Sequence, residues 1–158
     1  MGLVFFSSIT TVSAETNPNK PKRIVSINLC TDQLLMALVE TERIISVSHL
    51  SRDPSISSFS GSANTLHINY GTAEEVYHLK PDLVLAGEYS KKNVVGVIKK
   101  LGLNIVTVEV ANSLKAMRSN LLKLAAVLGE EAKGKTLVSK IDNLFLLKNR
   151  YTEKPVAI

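Results

Sequence analysis

The sequence predicts an α/β fold, a Rossmann-like lobe with a parallel sheet covered by helices on both faces and a long helical segment after it. Three observations predict this. Four apolar, β-rich runs, "RIVSI" (23–27), "RIISVS" (43–48), "LVLAG" (83–87) and "NIVTVEV" (104–110), are too continuous for strands with one wet face. Helical patterns separate them, as the crossovers of a parallel sheet require. Beyond residue 112 only helical periodicity remains, up to about residue 150.

The elements follow in order. "MGLVFFSSITTVSAE" opens with a short apolar run and offers Val12-Ser13-Ala14 as a small-residue cleavage site, so residues 1–14 read as an export signal, incomplete because no basic stretch precedes the run. The run is too short to span a bilayer. Residues 15–22, ending in "NPNKPK", form a Pro-interrupted linker. The first strand leads into "TDQLLMALVE" (31–40), with Leu34, Leu35 and Leu38 on one helical face and Thr31 or Asp32 as the cap. With "RIISVS" this completes a βαβ unit. From Leu50 to Asn69 the chain is rich in Ser, Asn, Asp, Pro and Gly and has no period, which predicts a long surface loop. "TAEEVYHLK" (72–80) is a helix capped by Thr72, Pro81 and Asp82 make a turn, and "KKNVVGVIKKLG" (91–102) is an amphipathic helix closed by Gly102.

"GEEAKGKT" (129–136) matches G-x-x-x-x-G-K-T, a phosphate-cradling loop that joins a strand to a helix. Its context is wrong. "SLKAMRSNLLKLAAVL" (113–128) carries Leu114, Met117, Leu121, Leu124 and Leu128 at helical steps, with Ser113 as N-cap and Gly129 as the stop. Two carboxylates inside the loop would repel a triphosphate. The reading is therefore a kink between two helices, the second with Leu137, Ile141, Leu144 and Phe145 on one face. "KPVAI" reads as another strand beginning. The lobe is expected over residues 23–112, the helical segment over 113–152, and a further strand over 153–158.

The 158 residues carry 45% apolar and 21% charged side chains, a globular composition, and a formal charge of +5. The lysines are scattered and aromatics make up 5%, so nucleic acid is not the expected partner. A single cysteine, Cys30, excludes an internal disulfide and a CxxC metal site, and no small residues precede it as a lipid-attachment motif would require. His49, His67 and His78 offer no local metal pattern. "SSFSGS" (57–62) has only the polarity of an exposed loop, and no catalytic constellation stands out. Binding without catalysis is the expectation. In open parallel sheets ligands lie beyond the carboxyl ends of the strands. That rule selects Asn28, then His49, Leu50 and Arg52, then Asn69 and Tyr70, and finally Glu88 and Tyr89. Against it, Asn28 and Asp32 could serve as caps, Tyr70 and Tyr89 as packing, and Arg52 with Asp53 as a solvated pair.

"RIVSI" before a capped helix, "ERIISVS" with "RDP", and above all E-x-x-x-x-L-K-P-D-L-V from Glu74 to Val84 resemble the N-terminal lobe of class III periplasmic binding proteins. These are the cobalamin, ferric-siderophore and haem receptors of ABC importers. The resemblance covers roughly residues 23–150 and implies two lobes bridged by a long helix, ligand held between them, and no enzymatic activity. It implies a periplasmic monomer without a resident cofactor, delivering a corrinoid or ferric chelate to a permease dimer with its ATPase subunits. Residues 113–150 would be the bridge and "KPVAI" the first strand of a second lobe that this chain lacks. Glu74, with Glu75 as the neighbouring alternative, would be the exposed carboxylate that pairs with permease arginines. The usual Pro-containing loop after the first strand reads "NLCTDQ", and Leu50, Ile68 and Gly87 fall where aromatic rings would line a cobalamin cleft. His67 or Tyr70 would be the haem ligand, although a corrinoid or ferric siderophore is favoured over haem. A Rossmann-like nucleotide-binding enzyme using "GEEAKGKT" is the alternative from a different class.

Overall fold

The computed structural model describes residues 20–152, with side chains to residue 146. The expected export signal and the closing "KPVAI" strand lie outside the described residues.

The chain forms β1 (Ile24–Ser26), α1 (Leu29–Leu38), β2 (Ile44–Ser48), α2 (Ser60–Ala63), β3 (His67–Asn69), α3 (Ala73–His78), β4 (Leu83–Gly87), α4 (Lys92–Lys100), β5 (Ile105–Val108), α5 (Leu114–Leu128) and α6 (Glu131–Thr152). All strand pairs are parallel, in the order β3-β2-β1-β4-β5. The chain winds outward from β1 to β3, then crosses back to β4 on the other side of β1. The switch point therefore falls between β1 and β4.

Alternation along each strand divides the core in two. Ile24, Leu83 and Leu85 join Leu35 and Leu38 of α1 and Leu121, Leu124 and Leu128 of α5. Val25 and Val84 face the other way, onto Val76 of α3 and Ile98 of α4. Each fully buried aliphatic side chain contributes roughly 1.5–3 kcal/mol, so both faces of the sheet must be covered. The paired helix faces supply that cover.

The expected long loop from Leu50 to Asn69 needs correction. It contains a 3-10 turn (His49–Arg52), α2 and the edge strand β3. The strand "HIN" has a single apolar residue and the helix only four residues, both too short to show a period. The first helix is also capped differently. Asn28 is the N-cap, its Oδ1 accepting from Cys30 N at 3.0 Å, while Thr31 and Asp32 are buried inside the first turn. Thr72, Ser113, Gly102 and Gly129 act as the sequence predicts.

Two motifs now have structural explanations. In L-K-P-D, Asp82 accepts from Lys22 N (2.7 Å) and Arg23 N (3.0 Å), fixing the entry to β1. The Arg23 guanidinium donates to Leu79 O (2.7 Å) and Lys80 O (3.0 Å), holding Lys80 in its left-handed conformation, φ 47. In "GEEAKGKT", Gly129 is the left-handed C-cap of α5, φ 68, and the residues from Glu131 onward are already helix. Glu130 is buried and paired with Lys20 and Arg43, each at 2.6 Å. Arg43 also donates to Pro21 O and Leu128 O, both at 2.7 Å. Gly134 is the close-contact point of α5 with α6: a Cβ there would stand 2.5 Å from the Cβ of Ala125. No strand feeds this segment and a carboxylate fills it, so the nucleotide-loop alternative is overturned and the kink between helices stands. On α6, Leu137 and Ile141 pack on the core, whereas Leu144 and Phe145 are exposed.

Candidate functional site

Parallel strands bring the residues after β1, β2, β3 and β4 to one end of the sheet. At the switch point this end carries an open groove of about 400 Å³, within the usual size range of small-molecule sites. Asn28 and Cys30 form its floor with Gln33 and Leu34 of α1, Gly87, Glu88 and Tyr89 close one side, and residues 108–111 with Met117 and Asn120 of α5 close the other. Gly87 is required by its neighbour. A Cβ at that position would lie 2.6 Å from Asn28 Cγ, so only glycine lets β4 approach the first turn of α1.

The sequence-selected residues separate into three groups. Asn28, Glu88 and Tyr89 line the groove, with Tyr89 81% exposed at its rim. Glu88 is anchored, its Oε2 accepting from Val110 N at 2.8 Å. His49, Leu50 and Tyr70 form a second patch at the ends of β2 and β3, where the His49 and Tyr70 rings stack with centroids 5.0 Å apart. Tyr70 is 70% exposed, so neither selected tyrosine is a packing residue.

Arg52 and Asn69 serve the scaffold. The Arg52 guanidinium donates to Leu66 O (2.9 Å) and weakly to Ala63 O, while Asp53 accepts from Ser55, so the pair envisaged between Arg52 and Asp53 does not form. Asn69 is fully buried. Its Nδ2 donates to Ser26 O (2.9 Å) and Ser46 Oγ (2.8 Å), and its Oδ1 accepts from Gly71 N (3.0 Å). It ties the ends of three strands together from beneath.

Sequence reasoning did not foresee the network below the site. Asp32 is fully buried and accepts from Ser48 N, Ser48 Oγ (2.5 Å) and Ser51 Oγ (2.7 Å), which pins the turn carrying His49 and Leu50 to α1. Burial raises its pKa above the ordinary carboxylate value, against the lowering pull of the serine hydroxyls. An acidic residue on the inward face of an apolar helix was the available signal.

On α3 the two neighbouring carboxylates differ. Burial tends to raise the pKa of Glu75, but hydrogen bonds from Thr72 N, Tyr70 N and the Thr72 hydroxyl outweigh it and the net shift is downward. Glu75 thus completes a capping box. Glu74 is exposed and makes no ion pair among the described residues, so of the two carboxylates on α3 it is the one available to a partner. His67 is exposed on β3, and no group of three or more His, Cys, Asp or Glu among the described residues could hold a metal ion.

A parallel sheet covered on both faces, with an open groove at its switch point, places these residues where open α/β sheets hold their ligands. The family model described as periplasmic binding protein matches residues 24–150, and the chain belongs to that family, whose members are substrate-binding transport proteins. Solved structures agree on the fold. A periplasmic heme binding protein from Pseudomonas aeruginosa aligns with TM-score 0.67 and 23% identity, covering 78% of this chain and 44% of that one. A possible iron-binding protein from Staphylococcus epidermidis aligns with TM-score 0.65 and 24% identity, covering 78% and 48%. The periplasmic vitamin B12 binding protein of Vibrio cholerae aligns with TM-score 0.68 and 21% identity, covering 86% and 53%. The chain thus spans about half the length of these structures and corresponds to their N-terminal lobe. No curated protein sequence matches it significantly. Among the described residues no helix is long and apolar enough to cross a membrane.

Proposed function

We propose that this chain supplies the N-terminal lobe of an extracytoplasmic solute-binding protein that captures a metal-chelate nutrient, a corrinoid or a ferric siderophore, and delivers it to an ABC permease. The observation that carries this reading is the groove at the switch point, built by Asn28, Glu88 and Tyr89 in a chain of the periplasmic binding protein family. It acts by binding alone, without catalysis. Residues 23–112 form the ligand-holding lobe and residues 113–152 the bridge to a partner lobe. Residues 1–14 direct export. Glu74 gives the lobe a free carboxylate on the rim that carries the groove, suited to orienting the complex on a basic permease surface.

Isothermal titration of the two-lobed protein, this lobe joined through residues 113–152 to its partner lobe, with cyanocobalamin and with ferric siderophores tests the reading; this lobe alone, holding half of the cleft, should bind weakly or not at all. Saturable binding to one of them, lost in a Gly87→Leu variant that fills the groove, is the expected result. No binding to any corrinoid, siderophore or haem would end it.

The stacked, exposed His49 and Tyr70 favour a second reading, a haem-binding member of the same family. Tyr70 would then ligate the iron. A haem absorbance shift on titration, abolished by Tyr70→Phe, separates this reading from the first.

A further inference from the structure

The groove is specified by its unused hydrogen-bonding capacity as well as its location. Three side-chain amides line it, each tied to the backbone at one end and open at the other. Asn28 Oδ1 accepts from Cys30 N at 3.0 Å, which leaves its NH2 as a donor. Gln33 Oε1 accepts from Ser58 N at 3.1 Å and likewise leaves its NH2. Asn120 Nδ2 donates to Glu109 O at 2.7 Å, which leaves Oδ1 as an acceptor. A tethered amide has its plane fixed before the ligand arrives, so less ordering entropy is lost on binding. Donors and an acceptor together match groups that both accept and donate, as carboxamides do.

The charges in the groove have one sign. Glu88 and Glu109 line it, and no Lys, Arg or His does so among the described residues. Glu88 is partly neutralised by its bond from Val110 N. The Glu109 carboxylate is exposed and makes no hydrogen bond or ion pair among the described residues. Nearby cations line adjoining grooves instead: Lys123 lies in the neighbouring groove that shares Val108, Glu109 and Asn120 with this one, Lys92 and Lys99 line a groove against α4, and Arg118 pairs with Asp142. An anionic ligand group seated here would meet a like charge with no counter-charge among the residues that line this groove.

We infer that the ligand face held by this groove is uncharged or cationic and fringed with carboxamide groups, and that Glu109 is the specificity-determining charge that turns away anionic chelates. This rests on the binding-protein reading above and narrows its substrate class. The apolar walls, Leu34, Val108, Val110 and Met117, take the hydrocarbon of such a ligand, and the three amides fix its orientation.

The test is a calorimetric titration of the two-lobed protein that carries this lobe, and of its Glu109→Lys and Glu109→Gln variants, with four chelates: cyanocobalamin, cationic ferrioxamine B, an anionic ferric tricatecholate and haemin. The wild-type protein should bind one of the first two at least roughly tenfold more tightly than either anionic chelate. Glu109→Lys should narrow that gap by roughly tenfold, with Glu109→Gln intermediate. Preference for the tricatecholate or haemin, or selectivity unchanged in both variants, would overturn the inference and leave the binding-protein reading intact. Binding to none of the four would remove both. Circular dichroism of each variant confirms that the exposed substitution leaves the fold in place.

Discussion

The two ends of the sheet treat polar side chains in opposite ways. At the amino end, Asp82, Arg23, Arg43 and Glu130 are saturated: Asp82 takes two backbone amides, the two arginines donate to four carbonyls between them, and Glu130 sits buried between two cations. At the carboxyl end, Asn28, Gln33 and Asn120 are each held by one bond and keep the rest of their capacity open to the groove. Saturated groups specify the architecture, and half-used groups on a rigid support are available to a ligand. The two motifs most conspicuous in the sequence, L-K-P-D and "GEEAKGKT", both belong to the saturated end.

This contrast can be broken from the stability side first. Arg43→Ala removes one partner of a buried carboxylate and three hydrogen bonds, and should cost about 3 kcal/mol in urea unfolding. Ligand affinity should not change, because the groove lies at the other end of the strands. A loss of affinity with intact folding would break the division. Gly134→Ala drives a Cβ into Ala125 and should cost about 1–3 kcal/mol, part of which the double variant with Ala125→Gly should recover.

Gly87→Ala sharpens the contrast from the other side. The added methyl must displace Asn28, so ligand affinity should fall by at least roughly tenfold while the unfolding midpoint moves less than for Arg43→Ala. Glu74→Gln should leave ligand affinity untouched and slow association with permease-containing vesicles, most at low salt. Equal rates for both proteins would remove Glu74 from docking.

The smallest effect concerns Asp32. Its folded pKa lies above the unfolded value, so its contribution to stability is full below about pH 4 and declines as pH rises through the folded pKa. Asp32→Asn, uncharged at every pH, should flatten that decline. A stability profile between pH 4 and 7 with the same slope in both proteins would refute the assignment.

Most of the fold was legible because buried strands and amphipathic helices repeat their patterns over enough residues to be counted. Strand β3 was not, since three residues of an edge strand carry almost no period. For the groove, the strand-end rule reached Asn28, Glu88 and Tyr89, whose positions follow directly from β1 and β4. Gln33, Glu109 and Asn120 were beyond it. They come from a helix interior, a strand terminus and a helix after the sheet, and only tertiary packing places them around one groove. Arg52 and Asn69 satisfied the same positional rule yet act on the scaffold, because position at a strand end does not say whether a side chain turns inward.

The most direct test is an NMR titration of the two-lobed protein, isotopically labelled in this lobe, with cyanocobalamin and ferrioxamine B, following side-chain amides and backbone resonances together. With at least one of these ligands, the side-chain amides of Asn28, Gln33 and Asn120 should shift with the backbone of residues 87–89 and 108–111, while Arg23, Arg43 and Glu130 stay still. Shifts concentrated at the amino end, or none with either ligand, would contradict the account.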